Sequence, residues 1–172
     1  MKLITDFENE RRHGRTTRML ENVVRLAMEG KDVAVIAVMP FDNRTDRSEI
    51  DQRVTEEVAR ELTQRGRRFR VVTDPRTADA VLSGAVVNYR TNAVAFTPTT
   101  GRTSRVESVV TVQAVLRKTE DDTVLWSQSG LLFREQFDVP ESGEFFDRET
   151  LALDLIAAGV ADVVVTSILE GW

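Results

Sequence analysis

The segment that most narrows the fold is 106–117, where side chains alternate strictly between two faces. Val106, Val110, Val112, Ala114 and Leu116 share one face with Ser108, while Glu107, Thr111, Gln113 and Arg117 share the other with Val109 and Val115. Successive side chains of a strand point to opposite faces, so the pattern predicts a long strand, buried on one face and at least partly wet on the other. Glu120-Asp121-Asp122 supplies a turn, and Val124 to Phe137 reads as the returning strand of a hairpin. A sheet that buries one face needs a covering layer from elsewhere in the chain.

Two helices can provide it. Ser48 with Asp51 resembles a capping box, and Ile50, Val54, Val58 and Leu62 follow at i, i+4 until Gly66. Near the other end Leu153, Ile156, Val160, Val164 and Ile168 recur every three or four residues, opposite Asp154, Asp162, Thr166 and Glu170. This predicts a long C-terminal helix, weakened locally by Gly159 and the β-branched run Val163-Val164-Val165. A third, shorter helix is expected over 16–30, with Met19, Val23, Leu26 and Ala27 on one side and Gly30 as its stop.

The remaining strands come from apolar runs. Val33 to Met39 is continuous and ends at Pro40, as a strand buried on both faces would. Phe69, Val71 and Val72 make a short strand closed by Asp74-Pro75, and Val81 to Tyr89 another, with Gly84 at a bulge or a close backbone approach. Residues 91–105, with Pro98, Gly101 and five threonines, read as a loop, and 138–147 as an irregular connection. The expected fold is α+β: a two-layer sandwich with a mostly antiparallel or mixed sheet of four to five strands, two main helices on one face and an extra N-terminal helix. The domain division is a helical extension over 1–32 and one α+β domain over 33–172.

Composition removes several classes of function. The 172 residues hold no cysteine and one histidine, which excludes thiolate chemistry, disulfides and any two-histidine metal site. Residues 1–70 carry 15 basic and 13 acidic groups and residues 71–172 carry 8 and 15, too little positive surplus for a general nucleic-acid binder. Twenty of the 23 basic residues are arginine, which suits an anion-reading surface but is explained more simply by GC-rich codon usage. No basic start followed by an apolar run opens the chain, and no stretch is expected to reach the ~20 apolar residues of a membrane span, so the sequence as written describes a soluble protein with neither secretory signal nor lipid-anchoring cysteine.

Local motifs for catalysis are weak. Gly14-Arg15-Thr16-Thr17 precedes a helix but lacks the lysine and the first glycine of a phosphate loop, so an ordinary capped helix explains it and no nucleotide is expected. His13 has no second histidine to pair with, and the carboxylates at Glu56-Glu57, Glu120 to Asp122 and Glu141 to Glu149 read as solvated charge. No catalytic residue, metal or cofactor is assigned. Arg90, Arg102, Arg105, Arg117 and Lys118 flank the 91–105 segment near Tyr89 and Phe96, and gathered at one end of the sheet they would suit an amphiphile carrying phosphates. Phe133, Phe137, Phe145 and Phe146 read as core or interface.

A series of segments also carries a resemblance. These are Ile36 to Thr45, Ala78 to Gly84, Val87-Asn88-Tyr89-Arg90, Val94-Ala95-Phe96 and Gly101 to Arg105, then Val124-Leu125-Trp126, Phe133 to Phe137, Phe145-Phe146-Asp147 and the terminal Ile168 to Trp172. In this order they resemble the LPS-assembly lipoprotein family, LptE and LptE-related proteins, from about residue 33 to the end. The resemblance implies a non-enzymatic protein on the periplasmic side of the outer membrane, which plugs an LptD-like barrel and helps pass lipopolysaccharide to the outer leaflet. It carries lipid contact over to Arg102 and Arg105, beside which Arg90 is a further lipid-contact candidate and Tyr89, Phe96 and Phe137 are candidates for partner contact. A periplasmic adaptor of similar fold, binding another envelope protein and no lipid, is the alternative.

Overall fold

The computed structural model describes residues 33–65, 69–139 and 145–170. The expected helix over 16–30, Gly14 to Thr17, His13, and the side chains of Glu141, Phe145, Phe146 and Trp172 lie outside what is described. The element order is β1 (Ala34–Val38), β2 (Asp42–Asn43), α1 (Ile50–Arg65), β3 (Phe69–Val72), β4 (Ala80–Phe96), β5 (Thr103–Lys118), β6 (Val124–Asp138) and α2 (Phe145–Glu170). The strands form one sheet in the order β3-β1-β4-β5-β6, with β2 paired to β4 beyond the end of β1. This is the α+β two-layer arrangement expected, with β2 as an added short strand.

The sheet is mixed for a topological reason. β1 is followed by a helix before β3, a crossover that lets β3 return parallel to it, and β1 is also parallel to β4. β4, β5 and β6 are joined by turns and so run antiparallel. Asp79 ties the two halves at the strand starts: its Oδ2 accepts from Val35 N–H at 2.8 Å, and its own N–H donates to the Val35 carbonyl at 2.8 Å.

Strict alternation on β5 does what the sequence implied. Ser108, Val110, Val112, Ala114 and Leu116 are buried, and the residues between them are not. Ile50, Val54, Val58 and Leu62 of α1 are each fully buried against this face, together with Ile156, Val160, Val164 and Ile168 of α2. Each such side chain contributes about 1.5–3 kcal/mol by leaving water. The helices are joined along their exposed edges by Arg65 Nη1 to Asp162 Oδ1 at 2.6 Å and by Arg53 with Asp154, pairs that add little in solvent. Among the described residues no helix lies on the other face of the sheet.

Several expectations need correction. Residues 91–105 are not one loop: β4 continues to Phe96 and β5 begins at Thr103, which leaves only 97–102 as a turn. Helix α1 opens at Glu49, whose φ is 64° and whose carbonyl accepts from Arg53 N–H, rather than at Ser48. The run Leu151–Leu169 is long and apolar enough to cross a membrane, contrary to expectation; Ile156, Ala157, Val160, Ala161, Val164 and Val165 of that run are buried in the core, which accounts for its composition.

Gly84 is a close approach, as expected. A Cβ there would lie 2.7 Å from the Gln113 carbonyl oxygen and inside the ring of Phe41. Phe41 is itself buried, its N–H donating to Thr55 Oγ1 at 2.9 Å, so the glycine lets the β1–β2 connection close over the sheet. The bulge falls a little further on, between Val86 and Asn88.

Candidate functional site: the tip of the long hairpin

The candidate site is built by β4 and β5, which run on to a compact turn. Thr97 N–H donates to the Arg102 carbonyl at 2.7 Å, Gly101 N–H donates to the Thr97 carbonyl at 2.8 Å, and Gly101 takes φ 64°, a left-handed position that glycine fills without strain. The strands below this turn carry Val94 and Phe96, exposed at 45% and 58%. With Leu132, Leu151 and Leu155 elsewhere, they are among several large apolar side chains left exposed.

Basic residues surround them. Arg102 sits on the turn and Arg90 lies further down β4, both exposed and neither in an ion pair among the described residues. Arg105 is held by Asp138: its Nε donates to Asp138 Oδ1 at 2.8 Å, and this bond with the charge of the carboxylate raises the guanidinium above its ordinary value, so Arg105 is charged at every accessible pH. Arg134, which was not singled out from sequence, completes a row: Arg90, Val109 and Arg134 stand side by side across β4, β5 and β6. Glu107 partly balances it, 3.7 Å from Arg134 Nη1 and accepting from Gln136 Nε2 at 3.2 Å.

Two expected members belong elsewhere. Arg117 and Lys118 pair with Val81 and Ala80 at the far end of β4. Twelve residues of extended strand separate Arg117 from Arg105, about 40 Å, so the five cations do not gather. Arg117 instead donates to Asp122 Oδ2 at 3.2 Å and Lys118 pairs with Glu120 at 2.9 Å, both around the β5–β6 turn.

The aromatic residues divide in the same way. Tyr89 stands in register with Val110, on the helix-covered face, and shares a hydrogen bond of 3.2 Å between its hydroxyl and Ser108 Oγ. Thr91 Oγ1 meets the same oxygen at 3.3 Å, so the fully buried Ser108 is satisfied from both sides. Arg47 lies 5.1 Å from the Tyr89 ring centroid, a cation–π contact no sequence signal announced. Phe137, in register with Val106, is half-buried on that face. Of the three aromatic residues, Phe96 is the exposed one.

Among the described residues a mixed sheet with two helices on one face, and a long hairpin that is basic and apolar at its tip, define the class. The lipopolysaccharide-assembly family LptE matches residues 33–168, and the chain belongs to that family. Lipoprotein B from Nitrosomonas europaea superposes with a TM-score of 0.54 at 11% identity, covering 83% of this chain and 89% of that one. Protein CT253 from Chlamydia trachomatis gives 0.52 at 10% identity, covering 81% and 99%. The PelC dodecamer subunit from Paraburkholderia phytofirmans gives 0.48 at 22% identity, covering 82% and 91%. At these identities the two closer superpositions speak for the fold alone. No curated protein matches the chain at a significant level.

Proposed function

We propose that the chain is a non-enzymatic accessory on the periplasmic side of the outer membrane, partnering an LptD-like barrel and helping lipopolysaccharide reach the outer leaflet through contact at the β4–β5 hairpin. The observation that carries this reading is the exposure of Phe96 and Val94 next to a turn bearing Arg102, which is in no ion pair among the described residues. An acyl chain needs an apolar surface and a phosphate needs a guanidinium, and the hairpin offers both within a few residues. Arg90 and Arg105 extend the basic surface down the strands, Arg105 with its charge already shared with Asp138. Membership of the lipopolysaccharide-assembly family supports the same assignment.

In this reading residues 33–172 are the working domain and 1–32 an addition to it. Of the three aromatic residues first expected at the partner interface, Phe96 is the one we retain there, because Tyr89 is engaged with Ser108. Co-expression with an LptD-like barrel tests the partnership. The barrel is expected to co-purify with the wild-type chain and to be lost with Phe96→Asp. A folded pair of proteins that never associate would contradict it, and association without lipopolysaccharide contact would favour an adaptor.

A further inference from the structure

The face of the sheet that no described helix covers has its own feature at the end opposite the hairpin tip. There β2, β4, β5 and β6 together form an open groove of about 380 Å³. Its floor is made of small residues, Ser83, Gly84 and Ala85, and its walls mix hydrogen-bonding side chains, Gln113 and Gln128 among them, with the apolar Val115 and Val124. Arg44 and Arg117 both line it, together with the carboxylate of Asp42. Four strands at ~4.8 Å spacing span about 14 Å, room for two linked sugar rings.

The chemistry of the walls decides the ligand. Amide and hydroxyl groups donate and accept at once, as sugar hydroxyls do, and guanidinium adds an anion partner. Arg44 is 57% exposed and reaches Asp42 only at 4.0 Å. Arg117 spends one nitrogen, Nη1, on Asp122, whose carboxylate and carbonyl each lie at 3.2 Å. Both cations therefore retain donors for an incoming anion, and no aromatic ring lines the groove.

We propose that this groove binds an anionic saccharide, a disaccharide bearing phosphate or carboxylate, with Arg44 and Arg117 holding the anion and Gln113, Gln128 and Ser83 the hydroxyls. The site is independent of the hairpin reading: its ligand needs no acyl chain, and Val94 and Phe96 play no part.

Calorimetric titration of the full chain with a phosphorylated disaccharide, the same disaccharide without phosphate, and inorganic phosphate tests it. The phosphorylated sugar is expected to bind, with either part alone at least about ten-fold weaker. Arg44→Ala, on an exposed side chain, and Ser83→Leu, which fills the floor, should each weaken it by about ten-fold or more, with Arg60→Ala on the exposed side of α1 leaving it unchanged. Deacylated lipopolysaccharide binding more tightly than the disaccharide assigns the source to a lipid headgroup, and equal binding assigns it to a free sugar phosphate. No binding by the wild type, or binding that Arg44→Ala leaves intact, overturns the proposal.

Discussion

The ring of Phe133 on β6 lies directly against Gly159 of α2. A Cβ at position 159 would fall inside contact distance of three ring atoms, Phe133 Cε1 at 2.9 Å among them. What the sequence presents as a weak point in a helix is the place where helix and strand touch.

Gly159→Ala therefore sets two effects against each other. Alanine gains about 1 kcal/mol of helix propensity, while overpacking a filled contact costs about 1–3 kcal/mol. Because the obstacle is a ring wedged between layers rather than the end of a flexible chain, the clash is expected to win. Urea denaturation should show Gly159→Ala net destabilised by about 1 kcal/mol, with Phe133→Leu added to it recovering part of the loss. A variant more stable than the wild type would contradict the contact.

Trp126 and Ser167 fasten the C-terminal end of the same helix. The indole Nε1–H donates to Ser167 Oγ at 3.2 Å, and both residues are buried. Ser167→Ala leaves the indole donor unpaired in the core, at a cost of about 1–3 kcal/mol by chemical denaturation. An unchanged midpoint would mean that the bond adds nothing.

The Asp74 carboxylate should give folding a local pH dependence. Its carboxylate accepts from the Arg76 side chain at 3.1 Å and from Arg76 N–H at 3.0 Å, and these bonds hold it below the ordinary value of 3.8. A carboxyl depressed in the folded state stabilises it fully above 3.8 and ceases to as pH falls through the lowered value. Asp74→Ala should melt below the wild type at pH 7, and the difference should shrink as the pH is taken beneath 3.8. A gap that stays constant to pH 2 would place the effect elsewhere.

Much of this was legible in the sequence where a period governs the side chains. The two-residue period of 106–117 and the i, i+4 series from Ile50 to Leu62 each exposed a buried face, and both faces are where they were expected. The hairpin extension was hidden because residues 91–96 are almost wholly exposed, so no burial contrast marks them as strand, and their threonine, asparagine and alanine read as loop. The role of Tyr89 was out of reach, since its partner Ser108 lies 19 residues away and the pairing needs the register. The separation of Arg105 from Arg117 was there to be read: one uninterrupted strand puts its two ends far apart.

Lipopolysaccharide binding by the purified full chain, wild type against Phe96→Ser with Arg102→Glu, tests the central claim most directly. Both side chains are exposed, so the melting temperature should hold while affinity falls by about ten-fold or more, or roughly 1.4 kcal/mol. Affinity unchanged in a variant that folds and melts as the wild type does would contradict the assignment of lipid contact to the hairpin tip.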